Sequence, residues 1–169
     1  MTLKATSNPP VSYSATSDQA SFLTIASVTA VLAALHFADH VVRGANVRQH
    51  GLDPTWNHSG WPFQSNVSPF SISLVAVSVI LLGGITFTAR GKLWAGYWLV
   101  AALVLAALVT DVHLVPGAHQ ESPSIIYHSW LGNSTLGVLA VVNTFAILVM
   151  LAVMAANAFR VGRKTRRWW

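Results

Sequence analysis

Histidines in this chain are grouped in a pattern that could bind a metal ion. The first apolar segment ends in HFADHVVR, which puts four polar residues at helical spacings i, i+3, i+4 and i+7: His36, Asp39, His40 and Arg43. Such residues share one face of a helix. Imidazoles at i and i+4 can bind one ion, and the carboxylate between them can bind it too, orient an imidazole or move protons. The pattern predicts His36 and His40 as metal ligands and Asp39 as a catalytic group.

A second group of candidates follows the third apolar segment. Asp111 and His113 lie near its end, and His128 follows in the sequence SPSIIYH. Acids inside a membrane need a partner, so we expect Asp111 to face the protein interior. His113 and His128 are expected at the level of the first histidine pair. Asp111 is therefore a second candidate catalytic group, and His113 and His128 are candidate metal ligands.

A structural role is the alternative for each of these polar residues. The stripe on the first segment could simply be solvated among lipid headgroups, and Asp111 could form an ion pair with Arg43. On a regular helix Asp111 and His113 lie about 200° apart, so both can point inward only if the end of the helix unwinds. Pro116 disfavours helical geometry at the preceding residue, which favours such unwinding.

The composition is that of an integral membrane protein. Of the 169 residues, 53% are hydrophobic and 9% are charged, whereas a soluble domain carries about 25% charged residues. The mean hydropathy is +0.53. The chain has no cysteine, which excludes thiolate metal sites and iron–sulfur clusters. A bound ion would need imidazole or oxygen ligands, which suit zinc, copper or iron.

Four apolar segments are long enough to cross a bilayer, which takes about 20 residues. Each is predicted to be a helix, because backbone polar groups inside lipid must be satisfied within the segment. The predicted helices cover about 21–43, 69–89, 93–115 and 123–159. A short link at 90–92 makes the second and third antiparallel, so we expect an all-α, up-down bundle of four transmembrane helices. Small residues predict close helix packing at Gly83, Gly84, Gly132 and Gly137.

The remaining segments are polar. We expect a mobile tail at 1–20, a turn-rich extracytoplasmic loop at 44–68 and a basic tail at 160–169. Five of the ten lysines and arginines lie in that last tail, and the loop at about 116–130 has none. The positive-inside rule then predicts that both termini are cytoplasmic and that the histidines face the other side of the plasma (inner) membrane. The basic charge suits contact with membrane lipid rather than nucleic acid.

Three functions stay open at this point. The first is a membrane metalloprotein with a His/Asp site at its extracytoplasmic face, which, if it is an enzyme, acts on a lipid-like or small hydrophobic substrate. The second is a four-helix bundle that binds haem b or another tetrapyrrole between histidines of different helices. The third is a non-catalytic accessory subunit of a homo-oligomer or larger membrane complex. The histidine pair with an acid between favours the first, because haem binding does not need it.

Overall fold

A computed structural model of the chain describes residues 12–52, 69–92, 94–115 and 121–166, and these are almost entirely helical. The helices, in chain order, are α1 (Ser12–Gln49), α2 (Pro69–Ala89), α3 (Ala95–Leu114), α4 (Pro123–His128) and α5 (Ser134–Thr165). Four of these, α1, α2, α3 and α5, are long and apolar enough to span a membrane. The predicted all-helical fold is therefore confirmed, as is the presence of four helices with the length and hydropathy needed to span a membrane.

Hydrogen bonds between helices fix the direction of each long helix. The Gln19 side chain near the start of α1 donates to the Thr88 carbonyl near the end of α2, at 2.6 Å. The Asn143 side chain of α5 donates to the Leu32 carbonyl of α1, at 3.1 Å. Trp98, near the start of α3, donates to the Thr88 hydroxyl at 2.9 Å. Lys164, near the end of α5, donates to Asp18, near the start of α1, at 3.3 Å. Neighbouring helices are therefore antiparallel.

The order of the helices around the bundle places α1 and α3 on a diagonal. Helix α1 packs against α2 and α5, and α3 packs most extensively against α5 and less against α2. Residues on the inner faces of α1 and α3 can therefore meet only across the centre of the bundle. The start of α1, the α2–α3 link and the end of α5 share one end of the bundle, which we call the basic end after Arg90, Lys92, Arg160 and Lys164.

Helix α1 is longer at both ends than predicted. It begins at Ser12 instead of about 21, so residues 12–20 are helical rather than part of a mobile tail, and it continues to Gln49 through the first part of the predicted loop. Buried Asp18 explains the early start, because it accepts from Arg160 at 3.5 Å and from Lys164 at 3.3 Å on α5. Residues 1–11 and 53–68 lie outside the described part of the chain.

The helix predicted for 123–159 is in fact two helices. α4 ends at His128, and α5 runs from Ser134 to Thr165. Gly132 has a φ of 77°, a left-handed conformation that glycine adopts without steric cost. The Asn133 side chain then accepts from the Leu136 amide and caps α5, at 3.1 Å. These two residues therefore separate α4 from α5.

The glycines predicted to allow close packing divide into two groups. A Cβ atom on Gly84 would lie 2.6 Å from the Trp98 ring, and one on Gly137 would lie 2.8 Å from the Tyr127 carbonyl oxygen. These two positions therefore need glycine for close approach. Gly83 has no atom within 4 Å of such a Cβ, and Gly132 belongs to the turn before α5.

Beyond the start of α2, the last turns of α1 pack against the segment around α4. Phe70, at the start of α2, contacts the rings of Phe37 and His40. Past that level, Asn46 donates to the Ser129 carbonyl at 3.1 Å. This polar contact places the segment at 121–130 beside the last part of α1, and a bond between His113 and the Glu121 carbonyl brings the end of α3 to the same place. All three lie at the end of the bundle opposite the basic end.

Candidate metal centre

Three histidines from two helices converge at this opposite end. His36 and His40 lie one turn apart on α1, and His113 lies in the last turn of α3. The Nε2 atoms of His36 and His40 are 3.1 Å apart, and one ring nitrogen of each of the three histidines lies within 4.8 Å of the others. His40 is 5% exposed and His113 is 3% exposed. We call this group the histidine triad, and its end of the bundle the histidine end.

The spacing within the triad suits a shared metal ion. Tetrahedral zinc with bonds of 2.0–2.1 Å holds its nitrogen ligands about 3.3 Å apart, close to the 3.1 Å between His36 and His40. A hydrogen bond between two neutral imidazoles would give the same distance. Such a bond, however, would explain only the contact between His36 and His40. The ring of His113 is also close, with its centroid 5.0 Å from that of His36 and its plane nearly perpendicular.

A hydrogen bond to backbone orients His113. Its Nδ1 lies 2.8 Å from the carbonyl oxygen of Glu121. Because a carbonyl can only accept, Nδ1 carries the proton and Nε2 is left as the basic nitrogen. Metal-binding histidines commonly donate their second ring N–H to a carbonyl or carboxylate in this way. His113 therefore has the tautomer and the fixed ring position that a ligand needs.

An ion pair that was not predicted from the sequence holds this carbonyl in place. Arg43 on α1 donates to both carboxylate oxygens of Glu121, at 3.2 and 3.0 Å, and both side chains are 0% exposed. The paired contacts fix residue 121 against α1, and with it the carbonyl that binds His113. A signal was present: Glu121 is the only glutamate of the chain, in a segment without cations.

Asp39 contacts donors other than the histidines. Its Oδ2 accepts from the Arg43 Nε, and its Oδ1 accepts from the Trp130 indole N–H, each at 2.9 Å. The carboxylate thus holds Arg43 in the orientation that reaches Glu121 and ties α1 to the segment after α4. These are the contacts of a positioning residue, and the catalytic role of Asp39 stays a prediction.

Two other candidates lie away from the triad. Asp111 is exposed on α3 and does not face the interior as expected, because α3 stays helical to Leu114 and an inward His113 then turns Asp111 outward. His128 is also exposed, with its ring against Tyr127 at 5.1 Å between centroids. The short α4 and the turn after it keep His128 outside the triad.

An apolar cavity of about 70 Å³ extends from the triad into the bundle. The three histidines line one end of it. Side chains of all four long helices line the rest, among them Leu81, Leu105 and Leu151. The candidate site therefore consists of three imidazoles at one end of an apolar cavity.

Comparison with known proteins finds no matching family model, no matching curated protein and no matching solved structure. The function is therefore argued from the geometry of the site itself.

Proposed function

We propose that this chain is a membrane metalloprotein whose histidine triad binds one zinc or copper ion. The observation that carries the proposal is the convergence of three imidazoles from α1 and α3, two of them with ring nitrogens 3.1 Å apart. The third ligand, His113, is fixed by its bond to the Glu121 carbonyl. Three converging imidazoles, one of them already oriented by backbone, support metal binding better than a purely structural role for these histidines.

The ligand type favours zinc or copper over non-haem iron. Iron sites of the oxygenase type combine two histidines with a carboxylate, whereas imidazoles alone suit zinc and copper. Asp39, the acid nearest in sequence to the ligands, is bonded to Arg43 and Trp130 instead. Three protein ligands leave a fourth position open, as in catalytic rather than structural zinc sites. An ion held there would act as a Lewis acid or activate a bound water.

The arrangement of the triad supports a single ion better than haem b. The two axial histidines of a haem lie on opposite faces of the macrocycle, so the macrocycle has to fit between their imidazoles. His36 and His40 are one turn apart with adjacent ring nitrogens, and the cavity beside them measures about 70 Å³. Both features support a single ion over a tetrapyrrole, and nothing in the described residues favours the accessory-subunit function.

We further propose that the site faces the extracytoplasmic side of the membrane. The basic end carries Arg90, Lys92 and the cations of the last turns of α5. Cations of this kind accumulate on the cytoplasmic side. The histidine end is the opposite end of the same bundle, which supports a metal supply from outside the cytoplasm.

The test is elemental analysis of protein purified without chelator and through a tag that contains no histidine. We expect about one zinc or copper ion per chain in the wild type. His40→Ala should lose most of this metal, because zinc sites need at least three protein ligands and the variant keeps only two. His128→Ala is the matched control and keeps its metal, since His128 lies outside the triad. Equal metal content in His40→Ala and wild type would contradict the proposal.

A further inference from the structure

We infer that the cavity below the histidine triad is a binding site for one small, uncharged, apolar molecule that reaches the open coordination position of the metal. The inference rests on the proposed metal function and names its ligand class. The histidines line the cavity themselves, so a molecule inside it lies next to the ion that they would hold.

Polar groups in the cavity are concentrated at the triad. Apart from the histidines, the lining side chains that carry a polar group are Thr29 and Ser73. The Thr29 hydroxyl donates to the Ile25 carbonyl of its own helix at 2.8 Å, so its proton is not available to an occupant. Ser73 lies one turn beyond Phe70, which contacts His40, and therefore belongs to the histidine end. Apart from the Thr29 oxygen, the deeper part therefore offers an occupant only apolar contacts.

The apolar part of the cavity disfavours water. A buried water needs two to four polar partners, and cavities lined by leucine, isoleucine and phenylalanine stay dry and bind benzene or xenon instead. Leu105, Ile147 and Leu151 line this part. A water molecule there would lose its hydrogen bonds, whereas an apolar molecule would gain dispersion contacts.

The volume limits the size of the occupant. A cavity of about 150 Å³ accepts benzene, which has six heavy atoms, so the volume of about 70 Å³ corresponds to a molecule of about three heavy atoms. A whole acyl chain exceeds this volume. Of the lipid-like and small hydrophobic substrates expected from the sequence, the cavity therefore supports the second class, which includes short hydrocarbons and diatomic gases.

Xenon is a suitable probe, because it is apolar and similar in size to the predicted occupant. Methyl groups of isoleucine, leucine and valine would be ¹³C-labelled and followed by NMR in detergent under increasing xenon pressure. We expect saturable shifts for Leu105 and Ile147, which line the cavity. The exposed Val79 and Val149 should show only the linear shifts of xenon dissolved in detergent. Linear shifts at all four residues would overturn the inference.

Matched variants test the place of binding. Ala33→Leu adds three carbon atoms at a cavity-lining residue, whereas Ala34→Leu makes the same change at the next residue, which is exposed. Saturable shifts should disappear in the first variant and persist in the second. If Ala33→Leu does not fold, Val77→Phe fills the cavity from α2, with Val79→Phe as its control. Binding that survives a folded, filled variant would also overturn the inference.

Metal content measured on the same samples separates the two proposals. Stoichiometric metal without saturable xenon binding would overturn the cavity site and leave the metal centre intact. Saturable xenon binding in protein that takes up no zinc or copper would overturn the metal function, and with it the assignment of the cavity as a site next to a metal.

Discussion

At the scale of single residues, Glu121 influences the triad without belonging to it. Its side chain pairs with Arg43, and its carbonyl accepts from His113. A buried ion pair adds little to stability by itself, but removing one partner leaves an unpaired buried charge, which costs about 3–5 kcal/mol. The same change would also release the carbonyl that orients a ligand.

Glu121→Gln should therefore lower both stability and metal affinity. We expect the free energy of unfolding to fall by about 3 kcal/mol and metal affinity by about tenfold, as for other groups that orient metal ligands. Thermal unfolding in detergent and competition with a chelator measure the two effects. Asp18→Asn is the control at the basic end. Asp18 is buried, but its partners Arg160 and Lys164 are 60% and 49% exposed, so the change leaves no buried charge unpaired and should cost about 1 kcal/mol or less. Unchanged metal affinity in Glu121→Gln would show that His113 does not depend on this ion pair.

At the scale of helices, α2 and α3 pack closely at a single glycine. A Cβ on Gly84 would lie 2.6 Å from both the Tyr97 and the Trp98 ring, while a Cβ on Gly83 meets no atom within 4 Å. The two glycines are adjacent on the same helix. They differ only in whether they face α3.

Alanine at these two positions should have opposite effects. Gly84→Ala forces the aromatic rings apart and should destabilise the bundle by about 1–3 kcal/mol, as overpacking does. Gly83→Ala should stabilise it by up to about 1 kcal/mol, because alanine favours the helix more than glycine. Melting temperatures of the two variants against wild type measure the difference. Equal melting temperatures would mean that α2 and α3 are not in close contact at Gly84.

Helices were easier to predict than the contacts between them. Crossing a bilayer forces each long apolar segment to be helical, so hydropathy alone located α1, α2, α3 and most of α5. The break at Gly132 and Asn133 was missed because the helix start predicted at Ser122 and Pro123 was joined to the apolar run that begins near Leu131. His36 and His40 could be predicted as neighbours from their spacing on one helix. Glu121 could not be found in that way, because its partner Arg43 is 78 residues away in the chain.

At the scale of the whole molecule, the two ends of the bundle differ in charge and chemistry. One end carries the cations of the α2–α3 link and of α5, and the other carries the triad and the ion pair of Arg43 with Glu121. Because the chain contains no cysteine, a single engineered thiol reports which side of the membrane each end occupies.

Single cysteines at the two ends should react differently in intact cells. Ser124→Cys, exposed on α4, should react with a membrane-impermeant maleimide, whereas Thr165→Cys, exposed at the end of α5, should react only after the membrane is permeabilised. Neither change alters the charge that sets orientation. Wild-type protein is the blank, since it has no thiol. The reverse labelling pattern would put the triad in the cytoplasm.

The diagonal arrangement of α1 and α3 has a consequence for biogenesis. His36 and His40 are synthesised first, but His113 reaches them only after α2 and α3 have also been inserted. Helix α5, against which α3 packs most extensively, is synthesised last. An ion bound by the triad would join helices that enter the membrane at different times, so metal loading would belong to the final stage of maturation. A chain that stopped before α5 would carry every ligand and still lack a stable centre.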